Sequence, residues 1–166
     1  MKLKNQCPNY IGSHYFPNFP LGKIHSTGWK NEDLEHLTLA DESFDLMVTQ
    51  DVMEHIFNPA QAFSEIARTL KKGGAHIFTV PIVNQEKPSK LNAKKDDNGN
   101  VIILGYPDYH GNPVDNQGSL VTMYWGYDIC DFILQHSGLY TTIVYIDNLL
   151  LGIRAELIEV LISRKL

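Results

Sequence analysis

The chain predicts an α/β fold built on a mostly parallel sheet, and three observations carry that expectation. An apolar run of strand length, Phe44 to Thr49, is followed by one helical stripe and then by a second strand, His76 to Val80, closed by Pro81. Strand, short helix and strand at this spacing make a βαβ unit, which implies parallel strands and a right-handed crossover. Near the carboxyl end two β-branched runs, Tyr140 to Ile146 and Leu157 to Ser163, have no helix between them. Such a pair is antiparallel, and α/β sheets often carry one at an edge.

Taken in order, Tyr10 to Phe16 reads as a short strand stopped by Pro17 and Pro20, and a second short strand falls near Lys23 to His25. Phe44 to Thr49 has the composition of a strand buried on both faces. Asp51 to Phe57 is a loop or a helical turn. The helix after it is well marked: Asn58 is an N-cap and Pro59 a first helical residue, where the missing amide costs nothing. Phe63, Ile66, Ala67 and Leu70 follow the i, i+3, i+4, i+7 spacing of one buried stripe. Lys71 and Lys72 suit the negative end of the helix dipole, and Gly73 or Gly74 can take the left-handed C-cap conformation. Residues 82–121 are polar and rich in Gly, Pro, Asn and Asp. They read as a long loop, of lid type, with Asn100 to Leu104 as a hairpin arm. A second helix is expected over Thr122 to Gln135, burying Trp125, Ile129, Phe132 and Ile133 and closed by Gly138.

The 166 residues form one domain by length, and 43% apolar composition with 10% aromatics suits a packed core. Net charge is −5 with no basic stripe, which argues against a nucleic-acid partner. Lys90, Lys94 and Lys95 abut Asp96 and Asp97 and read as a solvated loop. Cys7 and Cys130 are isolated, so a reducing, cytoplasmic setting without disulfides is expected. No apolar run approaches the ~18 residues of a membrane span. Lys71-Lys72-Gly73-Gly74 closes a helix instead of opening one, so it is not a phosphate loop. The histidines lack a metal-ligand spacing such as HxxxH, so no metal is predicted.

Phe44 to Ile56, with its Gln50-Asp51-Val52-Met53-Glu54-His55 end, then the helix, Gly73-Gly74 and the next strand, together resemble a class I S-adenosylmethionine (SAM) methyltransferase domain of the type-11 kind. The resemblance covers roughly Tyr10 to Lys165. It implies a Rossmann-like sheet from the second strand onward, with an antiparallel carboxyl-terminal strand, truncated at the amino terminus: the first strand, its D-x-G-x-G turn and the first helix are missing. It implies SAM as the cofactor, bound weakly or not at all without that turn.

Residue by residue, His14 stands where the family has a ribose-binding carboxylate; a plain strand-end residue is the other reading. Asp33 aligns with the carboxylate that accepts from the adenine amine, and the Leu34 amide with the donor to the ring. A capping role for Asp33 or Glu32 is equally open. Gln50 and Asp51 line the meeting place of methyl donor and acceptor, and Asp51 or His55 could accept the acceptor's proton; a capping Asp51 and a packed His55 are the alternative. Tyr109 and His110, in Tyr106 to Pro113, are candidate acceptor-binding residues, and a turn around Gly111 and Pro113 would also explain them. The implied function is methyl transfer to a small-molecule or saccharide acceptor, and the alternative is a non-catalytic remnant serving as a binding or assembly module. With the central strand missing, the sheet must pair its second strand directly with its fourth or borrow a strand, so a homodimer or a rearranged sheet is expected.

Overall fold

The structure, a computed structural model, describes residues 2–111 and 118–166. Asn112 and Pro113 of the segment singled out above lie outside the described residues. In chain order the elements are α1 (Lys2–Gln6), β1 (Ser13–His14), β2 (Lys30–Asn31), β3 (Phe44–Gln50), α2 (Pro59–Thr69) and β4 (Leu70–Thr79). Then follow β5 (Lys90–Leu91), β6 (Ala93–Lys95), β7 (Val101–Ile103), β8 (Tyr109–His110), β9 (Ser119–Leu120) and β10 (Met123–Tyr124). The chain ends with α3 (Ile129–Ser137), β11 (Tyr140–Tyr145) and β12 (Glu159–Arg164). No described helix is long and apolar enough to cross a membrane.

The main sheet has four strands in the order β11-β12-β4-β3. β3 and β4 are parallel, and β12 runs antiparallel to both of its neighbours, β4 and β11. That is the mostly parallel sheet with an antiparallel last strand that the βαβ unit and the unlinked terminal pair predict. β1 and β2 form a separate parallel pair, with Ser13 opposite Lys30 and His14 opposite Asn31. The near-terminal strand therefore does not pair with β3, which rules out direct closure of the sheet. Around Ile24 the expected strand is only an isolated bridge to Lys30.

Helix α2 starts as its sequence dictates. The Asn58 side chain accepts from the Gln61 amide at 3.2 Å, and Pro59 opens the first turn. Its buried face carries Ala62, Phe63, Ile66 and Ala67. The end differs from expectation. Leu70, in an extended conformation, is itself the C-cap, and β4 begins there because Leu70 must pair at once with Phe44. Gly73 (φ +82°) instead relieves an irregularity, where the β3–β4 register jumps from Phe44–Leu70 to Leu46–Ala75. Lys71 is held by Asp45 at 2.9 Å, away from any dipole role.

The second helix also starts later than predicted. Thr122 to Trp125 are extended: β10 pairs antiparallel with β5, and Thr122 Oγ1 donates to the carbonyls of Glu54 (3.0 Å) and Ile56 (2.6 Å). A hydroxyl committed to two distant carbonyls holds the chain out of a helix, so α3 spans only Ile129–Ser137 and ends at Gly138 in the left-handed conformation. The described part of 82–121 is likewise a stack of two-stranded hairpins, β6–β7 and β8–β9. It is organised by the buried Asn92, whose amide donates to the carbonyls of Tyr106 and Val121.

The core lies between the sheet and helices α2 and α3, with Phe63, Phe78, Trp125, Ile129, Ile133 and Leu161 at its centre. Met47 and Thr49 share this face with His76 and Phe78, their register partners. The reverse face is open. Leu46 and Val48 are 44% and 51% exposed, so β3 is not the doubly buried strand its composition predicts. Among the described strands only β4 pairs with β3.

Candidate active site

The candidate residues sit at the carboxyl ends of the parallel strands, where ligands gather in open α/β sheets. One group follows β1 and β2. Asp33 forms a tight turn, its Oδ1 accepting from the Glu35 amide at 2.9 Å and its carbonyl from the His36 amide. The capping reading of Asp33 is therefore realised by one carboxylate oxygen. Tyr15 stands beside it: its hydroxyl is pushed above its ordinary value by burial and by the charges of Asp33 and Glu35. The His14 ring meets Phe16 edge-on at 4.8 Å, while its carbonyl accepts from the Glu32 amide. Asn31, fully buried, ties the following loop by donating to the carbonyls of Phe16 and Phe19 and accepting from the Phe16 amide. Glu32 is buried with Lys30 at 2.6 Å and accepts from the amide and hydroxyl of Thr38.

A second group follows β3. Asp51 adopts positive φ (+49°), an uncommon conformation outside glycine. Its Oδ1 accepts from the Thr79 hydroxyl at 2.9 Å, and its amide donates to the Thr79 carbonyl. Gln50 is exposed at the strand end. A turn then brings Glu54 inward. Its carbonyl accepts from the amides of Thr122 (2.8 Å) and Met123 (3.2 Å), and the preceding Met53 carbonyl accepts from Trp125 Nε1. The Glu54 side chain is 2% exposed, and neither of its oxygens has a hydrogen-bond partner. Burial first, then the nearby Asp51 charge, raises its carboxyl to about 7, against a partial lowering by its own backbone amide, which lies short of hydrogen-bond geometry, and by His110.

His55 lies beside it. Its Nδ1 is 2.9 Å from the Leu120 carbonyl, an acceptor only, so Nδ1 carries a proton and Nε2 is the ring nitrogen that holds the lone pair of the neutral tautomer. Nε2 stands 3.7 Å from Glu54 Oε1, and the His55 ring meets the His110 ring edge to face at 5.3 Å. The structure thus joins His55, His110 and Glu54 in one cluster with Asp51 next to it. Glu54 is the residue that sequence reasoning missed. Its only signal is the Glu-His dipeptide just past a strand end, which does not show that the acid is buried. Tyr109 shares β8 with His110 and is exposed.

The two groups are fastened together. Glu35 Oε1 accepts from the amides of both Phe57 and Asn58 at 3.0 Å. Further along, the Leu37 amide donates to Glu65, and Arg68 donates to the carbonyls of Leu37 and Leu39.

Parallel strands thus end in two acidic turns clasped along one rim of an α/β layer, the edge where open sheets of this class take their ligands. Comparison with known proteins narrows this class. Residues 9–78 match the family model described as a methyltransferase domain. A stretch of 54 residues is 41% identical to the biotin biosynthesis bifunctional protein BioHC of Teredinibacter turnerae, covering 32% of this chain and 10% of that protein. A stretch of 48 residues is 40% identical to dimethylglycine N-methyltransferase of Parasynechococcus marenigrum, covering 29% of this chain and 17% of that protein. The chain thus spans between a tenth and a fifth of the length of these curated relatives. The fold is similar to a crystal structure of an S-adenosylmethionine-dependent methyltransferase from Mesorhizobium loti, with a TM-score of 0.51 and 18% identity over 84% of this chain and 70% of that one. Residues 9–78 are thus similar to a methyltransferase domain, and the α/β fold is similar to that of a SAM-dependent methyltransferase.

Proposed function

We propose that this chain binds SAM along the rim formed by Asp33, Leu34, Gln50 and Asp51 and supports methyl transfer to a small-molecule or saccharide acceptor. One observation carries the reading: Glu35 clasps the Asp33–Leu34 turn to the segment following Asp51, so an adenine-reading turn and a proton-accepting turn share one edge. The residues present fit the nucleoside end. Asp33 offers a carboxylate on a half-buried turn, and the Leu34 amide follows it. An adenine edge presents a donor beside an acceptor, which that pair complements. His14 supplies an imidazole where the family has a carboxylate, and can serve one ribose hydroxyl.

When bound, the cofactor supplies an electrophilic methyl carbon. The chain's residues orient the acceptor and take its proton. Asp51 is placed for this at the end of β3, oriented by Thr79, and His55 presents a basic Nε2 nearby. His110 adjoins that imidazole, and with Tyr109, its neighbour on β8, makes the acceptor-facing candidates.

Calorimetric titration with S-adenosylhomocysteine, the demethylated product, tests the reading. Binding in the micromolar range is expected, and Asp33→Asn, which keeps an acceptor for the Glu35 amide, should weaken it about tenfold, as loss of a charge-assisted bond implies. Silence at millimolar ligand would instead favour the second reading, a methyltransferase-like module without catalysis. The open face carrying Leu46 and Val48 further supports self-association as a homodimer; sedimentation velocity at micromolar concentration should show a dimer, and a purely monomeric mass excludes it.

A further inference from the structure

We propose that Glu54, His55 and His110 form a binding site for a borderline divalent cation, zinc before others. The first observation is the Glu54 carboxylate. It is 2% exposed, and both its oxygens lack partners. A buried carboxylate left unpaired is costly unless something neutralises it. The nearest candidate partner, His55 Nε2, stands at 3.7 Å, beyond hydrogen-bond range. It is close to the separation of two donors on one zinc ion: bonds of ~2.0–2.2 Å at a tetrahedral centre put ligand atoms roughly 3.3–3.6 Å apart.

The second observation is the state of His55. Metal-ligating histidines commonly donate their other ring N–H to a carbonyl or carboxylate, which fixes the tautomer and aims the lone pair. The Leu120 carbonyl at 2.9 Å does this for His55. The third is the origin of His110. The β8–β9 hairpin places His110 opposite Ser119, next to Leu120. One hairpin thus delivers both a ligand and the carbonyl that orients another ligand. Donor atoms of all three side chains lie within 4.8 Å of one another, so a small rotation of His110 completes the set.

Two imidazoles and one carboxylate select zinc or a similar first-row ion over magnesium or calcium, which prefer all-oxygen sites. Three protein ligands leave at least one position open. An acceptor oxygen taking that position would be polarised by the ion, and Asp51, three residues before Glu54, is the carboxylate that would take its proton. This catalytic use rests on the methyl-transfer reading; cation binding does not.

The test uses the full chain stripped with a chelator. Zinc titration by calorimetry, and cobalt titration followed by visible absorption, should show one equivalent bound per chain. His110→Ala and Glu54→Gln should each weaken binding tenfold or more, on the order of the known effects of disturbing a metal site. His136→Ala, outside the cluster, should bind like the wild type. Should the variants fail to fold, cobalt added to the wild type must shift or broaden the His55 and His110 imidazole resonances selectively. Absence of saturable binding at about millimolar metal, or equal binding by all variants, would overturn the proposal. Zinc binding without S-adenosylhomocysteine binding would overturn only the methyl-donor reading, and the converse only this one.

Discussion

Replacing Trp125 by alanine is expected to lower the unfolding free energy by about 3–5 kcal/mol, the range for removing a large buried aromatic. Trp125 is 0% exposed and packs against Phe132 at 5.3 Å and Phe63 at 6.3 Å between ring centroids, both edge-on. Its indole N–H also donates to the Met53 carbonyl at 3.2 Å. The substitution therefore opens a cavity and strands a buried carbonyl together. Against a total stability of about 5–15 kcal/mol for such a domain, that is a large fraction. Trp125→Phe should recover most of the packing and forfeit chiefly the hydrogen bond, costing about 1–3 kcal/mol. Urea unfolding followed by far-ultraviolet circular dichroism reads both. A loss under about 1 kcal/mol for Trp125→Ala would mean that the junction between the β3–α2 turn and the β10–α3 segment does not depend on this ring.

Acid should destabilise the fold through His76. The residue is fully buried in β4, its ring stacked on Phe78 at 4.4 Å, and burial pushes its imidazole down to about 3 from 6.5. Nε2 lies 2.9 Å from Thr49 Oγ1, and Nδ1 has no partner, so a second ring proton would be buried unpaired. The folded state thus binds this proton more weakly than the unfolded chain does. Stability from the neutral ring is complete above pH 6.5 and declines as pH falls toward 3, by up to about 1.4 kcal/mol per unit.

Glu54 works in the opposite sense. Its carboxyl is raised from 4.5 to about 7, so its contribution grows as pH falls through 7 and levels off below 4.5. The difference between wild type and His76→Phe isolates the histidine. The variant should gain on the wild type steadily as pH falls from 6.5 to about 4. Parallel curves would refute the assignment. If the variant does not fold, nuclear magnetic resonance titration of the wild-type ring should find it still neutral at about pH 5.

The elements that could be read from sequence are those whose pattern is local. Asn58 and Pro59 announced α2, because capping depends on adjacent residues, and the Phe63–Ile66–Ala67 stripe set its face. The β-branched runs gave β11 and β12 within about two residues. The misplaced features depend on distant partners. Gly73 looked like a helix cap, yet β3 captures Leu70 before the helix can reach it. Thr122 looked helical, and two carbonyls in the Glu54 turn hold it extended. Leu46 and Val48 had a buried composition, and burial is decided by which strands and helices cover a face.

The site shows the same division. Asp33, Asp51, His55 and His110 stood out through the resemblance of the segments that carry them. Glu54 and His110 are separated by a long stretch of chain, and only the β8–β9 hairpin shows that they are neighbours.

The Glu35 clasp has a mechanical corollary. One carboxylate oxygen holds two successive amides at the entrance to α2, while the Asp33 turn depends on the amide of the same residue. The rim and the helix mouth therefore behave as a single lever with its fulcrum at Glu35. Any tilt imposed on one arm by an incoming molecule must either swing the other or break the pivot.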